Sequence, residues 1–333
     1  MIVILSYPGD QIANDVMDWL RSYGSKAKRI NLEEEDYRKL SVTINDVITD
    51  VQLQLKDGSV LKLQEVSVFF FRGGLLKEHA ENYVQEGLSQ RLIRTHLSYE
   101  FKTLTQFFYS EISKKCLGNP TCYPLNKLQQ LKTAVACGLH VPSTLVRNNR
   151  KDLLEHVEDP NSFLITKSIQ ENVLIQDSDI HHFDLKVHLI QPGTLPERFF
   201  PSLFQNQIKR EKEIRTFYLD GKFYSLAMLK CDAEKEMVDY RTSIHKLRYG
   251  SYKLPLEIEG KLTQFMNKLN LNTGSIDLIR DENGDYYFLE VNPTGQIGWV
   301  SDLGHYFLEE KIAQYLLQKE LKFDAYVQQA VTC

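Results

Sequence analysis

The sequence predicts an α+β fold, in which small antiparallel sheets alternate with helices. Three Gly-containing turn pairs lie between segments of alternating apolar and polar residues, a pattern typical of β-hairpins. Segments with helical periodicity separate these hairpins, which disfavours a single parallel doubly wound sheet. With 333 residues, 42% of them hydrophobic, the chain is long enough for two or three domains. The three turn pairs are Asp57-Gly58, Asp220-Gly221 and Asn283-Gly284.

The first domain, predicted over residues 1–118, begins as a small α/β unit. The apolar run at 2–5 is typical of a strand, and Pro8-Gly9-Asp10 turns the chain into an amphipathic helix. The turn at Asp57-Gly58 predicts a hairpin inserted before the next buried strand. Its later elements are the hairpin strands 51–55 and 60–63, the strand 67–71 and helical structure over about 80–113.

The second domain, predicted over residues 119–203, follows a cluster of chain-breaking residues around Gly118-Asn-Pro120. Asn126 is placed to cap a helix, and Gly138 is placed to end it. The predicted elements are helices at 127–137 and 150–158, an extended segment from Thr144, and strands at 163–166, 173–176 and 185–190.

The third domain, predicted over residues 204–325, has the strongest strand signals in the chain. Alternating segments on both sides of Asp220-Gly221 predict a long hairpin, and Asn283-Gly284 predicts a second one. The predicted elements are strands at 213–219 and 223–229, a helix at 256–269, strands at 275–279 and 286–291, and a helix at 305–319.

Composition excludes several functional classes. Forty basic and 44 acidic residues give a net charge of -4, so the overall positive field that favours duplex nucleic acid is absent. No apolar run approaches a membrane span, and residues 1–6 lack the basic flank of a signal peptide. Five scattered cysteines without a C-x-x-C pair indicate reduced thiols. We therefore expect a cytoplasmic protein with neither nucleic acid nor membrane partners.

Three oxygen-bearing side chains are predicted to meet late in the chain. Asp277 lies in one strand, and Glu290 and Asn292 lie two residues apart in the next, so these two share a face. Pairing of the two strands can bring Asp277 alongside them. Acids in apolar strands are costly unless they are paired or bind a cation, and hard oxygen donors suit Mg²⁺. The pattern Asp-x(12)-Glu-x-Asn-Pro therefore predicts a magnesium site, and the alternative is a surface hairpin whose acids face water.

Cationic residues that could face such a site are Lys127, Lys167 and Arg215, although each alone is more often a solvated charge. The sequence contains neither G-x-x-x-x-G-K-[ST] nor G-x-G-x-x-G, which argues against P-loop and dinucleotide-binding folds. A second metal site at His181-His182 has no standard ligand spacing, and a solvated turn explains the pair better.

From about Asn126 to Leu317 the sequence resembles the ATP-grasp ligases. The resemblance rests on the segments Asn126-Lys127, Gly138-Leu-His-Val-Pro-Ser-Thr144, Leu164-Ile-Thr-Lys167, Phe204-Gln-Asn-Gln-Ile208, Glu213-Ile-Arg215, Asp277 and Phe288-Leu-Glu-Val-Asn-Pro293. It implies an N-terminal pre-ATP-grasp domain followed by two α+β domains that hold the nucleotide between them.

The same resemblance implies ATP and Mg²⁺ as cofactors and assigns roles to matching residues. Two lysines would contact the nucleotide phosphates, a hinge backbone would bind adenine, and an arginine would steady the transferred phosphoryl group. Independently of the resemblance, Glu213 lies two residues from that arginine on the same strand face, so it is expected to orient the arginine or to contact the peptide. The two lysines would be Lys127 and Lys167, and the arginine would be Arg215. The hinge residues would be Gln205, Asn206, Gln207 and Ile208. Asp277, Glu290 and Asn292 would bind Mg²⁺.

The sequence departs from the usual ATP-grasp pattern after the second lysine, where Ser-Ile-Gln-Glu-Asn172 replaces a glycine-rich loop. This departure is similar to the graspetide or microviridin-type peptide maturases, most of all the grasp-with-spasm maturases. That branch implies activation of Asp or Glu side chains in a ribosomal precursor peptide, with leader and core segments, and a homodimer. Softer matches are Phe69-Phe-Phe-Arg-Gly-Gly74, Val238-Asp-Tyr-Arg241 and Asn292-Pro-Thr-Gly-Gln296.

Three arginines are candidates for binding substrate carboxylates, because a planar guanidinium grips a carboxylate at two points. They are Arg72, Arg241 and Arg248, and the alternative for the last two is surface pairing with nearby acids. His245 is more often structural than catalytic. Two rival functions remain open, a ligase that adds a free amino acid such as glutamate and a non-catalytic ATP-binding module.

Overall fold

A computed structural model describes residues 1–32, 37–76, 88–122, 125–157, 163–169, 175–177, 181–183, 187–230 and 247–332. Over these residues the chain is a mixed α and β structure whose strands form five sheets, so the predicted α+β class is confirmed. None of the described helices combines the length and apolar character that crossing a membrane requires.

The N-terminal region contains a four-stranded parallel sheet and a separate three-stranded antiparallel sheet. The parallel sheet has the strand order β2-β1-β6-β7, and β3, β4 and β5 form the second sheet, which contains the predicted hairpin. The elements are β1 (Ile2–Ser6), α1 (Gln11–Ser22), β2 (Lys28–Asn31), β3 (Tyr37–Ile44), β4 (Thr49–Leu55), β5 (Val60–Lys62), β6 (Val68–Phe71), α2 (Leu88–Ser113) and β7 (Cys116–Leu117).

The middle region contains a four-stranded antiparallel sheet in the order β12-β9-β13-β8 and a separate two-stranded hairpin. Strand β13 continues to Asn206, so this sheet extends past the boundary predicted at 203. The elements are α3 (Lys127–Ala136), β8 (Thr144–Asn149), α4 (Arg150–Leu154), β9 (Leu164–Lys167), β10 (Ile175–Asp177), β11 (His181–Phe183), β12 (His188–Ile190) and β13 (Arg198–Asn206).

The C-terminal region is built on a five-stranded antiparallel sheet in the order β16-β15-β14-β17-β18. Both predicted hairpins are part of it. The elements are β14 (Arg210–Leu219), β15 (Lys222–Lys230), β16 (Leu247–Tyr252), α5 (Leu256–Lys268), β17 (Thr273–Asp281), β18 (Tyr286–Asn292), α6 (Gly298–Gly304) and α7 (Leu308–Thr332).

Two hydrophobic cores cover the two faces of the five-stranded sheet. One face packs against α3 and α5, with Phe265 and Phe288 fully buried between them. Part of the other face packs against the N-terminal region, through a core that includes Phe217, Leu226 and Ile4. The N-terminal sheet and the C-terminal sheet therefore share one core, and this core fixes their relative position.

Several elements were not predicted from the sequence. Strand β3 buries few side chains, β16 follows a segment outside the described residues, and α6 is short with a glycine at each end. Helix α7 continues well past the predicted end at 319. These elements lack the long apolar periodicity on which the predictions depended.

Candidate functional site

A row of functional side chains crosses the central strands of the five-stranded sheet. Arg215 on β14 pairs with Asp277 on β17, and Asp277 pairs in turn with Glu290 on β18. Asn292 lies opposite Ser275, one step further along the same face. Side chains directly opposite each other on neighbouring strands lie on the same face, so the predicted convergence of Asp277, Glu290 and Asn292 follows from the register.

A β-bulge in β18 makes this arrangement possible. Ile276 pairs with Val291 and Leu278 pairs with Phe288, so Leu289 is an extra residue between them. In a regular strand Phe288 and Val291 would face opposite sides, but here both enter the core beneath the sheet. Glu290 can therefore face the site while Phe288 and Val291 stay buried.

The acidic side chains of the row are held by cations. Arg215 Nη1 lies 2.6 Å from Asp277 Oδ2, Lys127 Nζ lies 3.3 Å from Glu290 Oε2, and Lys167 Nζ lies 3.9 Å from the same oxygen. All five side chains are between 11% and 23% exposed, so solvent screens these pairs only partly. Three positive charges against two negative ones leave a net charge of +1, which favours a polyanionic ligand.

Lys127 is positioned by the first turn of α3. Asn126 caps this helix, because its side chain accepts hydrogen bonds from the backbone N–H groups of Leu128 and Gln129. Gln130 then fixes the helix on the sheet, because its Oε1 accepts a hydrogen bond of 2.8 Å from Val291 N. Sequence reasoning missed Gln130, although its position four residues before the buried Ala134 indicates the inner face of the helix.

Lys167 comes from the other sheet, at the end of β9, and the next residue links the two regions. Lys127 Nζ lies 3.4 Å from the backbone oxygen of Ser168 and can donate a hydrogen bond to it. The two predicted phosphate-binding lysines therefore meet at Glu290 from different elements, Lys127 from helix α3 and Lys167 from strand β9. Residues 170–172 of the predicted phosphate-covering loop lie outside the described residues.

Opposing effects act on the pKa of Glu290. Burial alone raises the pKa of this carboxyl, but the positive charges of Lys167 and Lys127, with Arg215, outweigh burial and hold the pKa below its usual range. The carboxylate is therefore ionised at neutral pH, as a metal ligand must be.

The predicted hinge residues connect the two sheets. Gln205 is 3% exposed at the end of β13, and its amide donates a hydrogen bond of 2.9 Å to the Thr144 hydroxyl. Asn206 is the last residue of β13, and Gln207 and Ile208 lead into β14. Residues 205–208 therefore connect the four-stranded sheet to the five-stranded sheet.

The remaining predicted residues lie apart from the row or outside the described residues. Glu213 Oε2 lies 3.2 Å from Arg210 Nη1, and strand alternation places Glu213 on the same face as Arg215. Arg248 is exposed on the edge strand β16, and its register with Leu229 places it on the opposite face. Arg72 is buried in the N-terminal region. Arg241 and His245 lie outside the described residues.

The donor set of the row fits a magnesium ion. In the part of the chain that the structure describes, no group of three or more His, Cys, Asp or Glu side chains is placed to hold a metal. The row instead offers the carboxylates of Asp277 and Glu290 and the amide oxygen of Asn292, which also accepts a hydrogen bond of 3.0 Å from Thr294 N. One or two carboxylates that share an ion with substrate phosphates are typical of Mg²⁺ sites.

No protein-family model and no curated protein matches this chain. Solved structures do match it over nearly its whole length. A RiPP-associated ATP-grasp ligase of Chryseobacterium gregarium, in complex with ADP and a leader and core peptide, is 22% identical, with a TM-score of 0.79 over 96% of each chain. The macrocyclase MdnC of Microcystis aeruginosa, bound with precursor peptide MdnA, is 21% identical, with a TM-score of 0.73 over 95% of this chain and 99% of that one.

A third similar structure is the ATP-grasp ligase PsnB, complexed with a phosphomimetic variant of its minimal precursor, Mg and ADP. It is 15% identical, with a TM-score of 0.69 over 96% of this chain and 98% of that one. Likeness at these identities establishes the fold. The chain therefore has the ATP-grasp fold, as its sequence motifs predicted.

Proposed function

We propose that this chain is an ATP-dependent carboxylate ligase that crosslinks a ribosomally made precursor peptide. It would activate Asp or Glu side chains of the peptide and join them to Thr or Ser hydroxyls, or to Lys amines. The observation that carries the proposal is the meeting of Lys127 and Lys167 at Glu290, beside the Arg215–Asp277 pair. That constellation lies in a fold shared with ligases whose structures hold ADP and precursor peptides.

The two sheets would hold ATP between them. Lys127 from helix α3 and Lys167 from strand β9 would contact the phosphates, and the backbone of residues 205–208 would bind adenine. Mg²⁺ held by Asp277, Glu290 and Asn292 would neutralise charge on the phosphate oxygens. Binding would replace part of the lysines' present contact with Glu290 by contacts with the phosphates.

The first chemical step is transfer of the γ-phosphoryl group to a peptide carboxylate. A carboxylate oxygen forms a bond to the γ-phosphorus, the bond from phosphorus to the bridging oxygen breaks, and ADP leaves with the electron pair. Arg215 lies on the same face as the metal-binding residues and would stabilise the charge that develops on the transferred group. The product on the peptide is an acyl phosphate.

The second step forms the crosslink. A hydroxyl oxygen or amine nitrogen attacks the acyl carbon, and phosphate leaves with the oxygen that attacked in the first step. The proton of the nucleophile ends on the released phosphate. Because both groups belong to one bound peptide, proximity makes the reaction effectively unimolecular. The peptide loses the atoms of one water for each bond.

Peptide recognition by Arg72, Arg241 and Arg248 is a further prediction from the sequence. The exposed position of Arg248 on β16 is compatible with a contact to a bound peptide, although not from the face that carries Arg215. The buried position of Arg72 makes its guanidinium less accessible to a bound peptide.

We also infer a homodimer in the cytoplasm, where ATP is supplied. Helix α2 leaves Leu92 and Tyr99 exposed at 76% and 64%, and such apolar side chains on a long helix favour contact with a second copy. Light scattering coupled to size-exclusion chromatography should give twice the chain mass, and replacing Leu92 and Tyr99 by Lys should restore the monomer.

The proposal is tested by incubating the chain with ATP, MgCl₂, free glutamate and a short candidate precursor peptide that carries Thr and acidic residues near its end. We expect ADP formation and loss of one water mass per crosslink in the intact-mass spectrum. A peptide in which the Asp and Glu residues of the core are Asn and Gln should give neither. A ligase that adds free glutamate would instead increase the peptide mass, and a non-catalytic module would form no ADP.

A further inference from the structure

The loop that follows β18 packs directly against Arg215. It turns at Asn292, whose backbone oxygen accepts a hydrogen bond of 3.2 Å from Gly295 N. A β-carbon added to Gly295 would lie 2.9 Å from Arg215 Nη2 and 2.8 Å from the β-carbon of Ser275. The absence of a side chain at position 295 therefore allows the backbone to press against the guanidinium.

A buried arginine from the N-terminal region reaches the other side of this loop. Arg72 Nη1 lies 3.4 Å from the backbone oxygen of Gly295, and the two residues are 223 positions apart in the chain. Arg72 Nε lies 3.3 Å from Asp10 Oδ2, which also accepts a hydrogen bond of 2.9 Å from the Ser6 hydroxyl. Arg72 is 4% exposed and Asp10 is 3% exposed.

The side chain of Asp10 contacts Arg72 and does not cap the helix that begins beside it. It occupies the N-cap position of α1, where an Asp side chain normally accepts hydrogen bonds from the helix backbone, but here it makes no such bond. Its carboxylate instead faces Arg72 and Ser6. A local preference broken in favour of a distant contact is expected where a site needs that contact.

We propose that Arg72 is a positioning residue, which holds the loop after β18 against Arg215 and so keeps Arg215 aimed at the transferred phosphoryl group. Asp10 and Ser6 fix the orientation of the Arg72 guanidinium. The contact of Arg72 with Gly295 then holds the loop against Arg215. This inference rests on the proposed function, because it gives Arg215 a reaction to serve. It assigns Arg72 a role other than the substrate contact expected from the sequence.

The competing role is direct contact with substrate. Arg72 and Asp10 border a cleft of about 1000 Å³ between α1 and α6, so a bound peptide could approach them. The guanidinium, however, already directs Nε to Asp10 and Nη1 to Gly295, within a side chain that is 5% exposed. A positioning residue affects turnover through Arg215, whereas a substrate ligand affects peptide binding whether Arg215 is present or absent.

The first test compares a charge-neutral double variant, D10N/R72M, with the wild-type chain. Replacing both members of a buried ion pair avoids leaving one charge unpaired, so we expect the variant to fold. We expect kcat to fall about tenfold or more, because small misplacement of a catalytic group is costly, with little change in the KM for peptide. Amide hydrogen exchange at residues 294–297, measured without ligands, should become about tenfold faster.

Two further variants separate positioning from general loss of stability. Leu53→Ala opens the N-terminal core on the side away from the loop, and should lower the melting temperature without changing kcat or exchange at 294–297. Arg72→Lys keeps the positive charge beside Asp10 but lacks the planar guanidinium that can donate hydrogen bonds to two partners. This variant should therefore give an intermediate kcat. If the double variant fails to fold, Arg72→Lys carries the test alone.

The decisive measurement is the same pair of changes in an Arg215→Ala background. If Arg72 acts through Arg215, D10N/R72M should change the residual kcat less than about twofold there, because the effects of coupled residues do not add. An undiminished tenfold fall, or a raised KM for peptide in both backgrounds, would overturn the inference and favour direct substrate contact. Lack of ADP formation by the wild-type chain would instead contradict the proposed function.

Discussion

The two sheets that meet at the site differ in how firmly they are built. The five-stranded sheet packs on a cluster of 17 buried hydrophobic side chains, whereas the described part of the four-stranded sheet has a cluster of three, Leu153, Leu164 and Phe204. Arg215, Asp277, Glu290 and Asn292 all belong to the first sheet, and Lys167 belongs to the second. The groups that need fixed geometry therefore lie on the well-packed sheet.

This difference indicates a division of labour. Electrostatic stabilisation depends on charges whose positions are set in advance, which a large core provides. A sheet with a small core opens locally at lower free energy, and such elements are the ones that move when a ligand is enclosed. We expect the four-stranded sheet to adjust around ATP while the five-stranded sheet stays in place.

The largest expected effect comes from the row itself. Glu290→Ala removes a metal ligand and the partner of both lysines, so ADP formation should fall about 10³-fold, the scale of several kcal/mol of lost charge stabilisation. Steady-state ADP release with peptide measures this, and Asn292→Ala should behave similarly. Glu282→Ala, at the exposed turn between β17 and β18, is the matched control and should keep full activity. Near-normal turnover of Glu290→Ala would place the metal elsewhere.

Arg215→Ala should lower kcat by about 10²-fold or more, the usual cost of losing one preorganised charge donor. Asp277 would lose its ion pair as well, so the melting temperature must be measured beside the rate. Arg215→Lys keeps the charge but changes the geometry, and recovery of part of kcat would show that position as well as charge matters. An unchanged rate in Arg215→Ala would remove this residue from catalysis.

Two glycines in the same segment offer a smaller and sharper test. Gly295→Ala places a methyl group against Arg215 and Ser275, and should lower kcat about tenfold by displacing the guanidinium. Gly298 has open space where its side chain would be, so Gly298→Ala should be nearly neutral. Equal rates for the two variants would mean that the loop does not set the position of Arg215.

The smallest effect on rate is expected from the weaker core. Leu153→Ala should speed amide exchange in β8, β9 and β13 and raise the KM for ATP several-fold, with kcat nearly unchanged. Leu262→Ala, in the larger core, should lower the free energy of unfolding by about 2–5 kcal/mol without that selective exchange. Uniform exchange changes across both sheets in Leu153→Ala would remove the proposed difference.

Much of the site could be predicted from local sequence because strand alternation is local. Glu290 and Asn292 share a face by their spacing, and Asn283-Gly284 gives the hairpin that brings Asp277 beside them. The bulge at Leu289 could not be predicted from the local sequence. It depends on which side chains of β18 pack against α5 in the core beneath the five-stranded sheet. Arg72 and Gly295 are 223 positions apart in the chain, and sequence periodicity does not predict a contact between residues so far apart.

The central claim is that a peptide carboxylate attacks the γ-phosphate of ATP at this site. The most direct measurement uses a precursor peptide whose Asp and Glu side chains carry isotopically labelled oxygen, with the phosphate released during crosslinking analysed by mass spectrometry. Transfer through an acyl phosphate predicts one labelled oxygen in each phosphate released, absent with Glu290→Ala. Crosslinked peptide accompanied by unlabelled phosphate would contradict it.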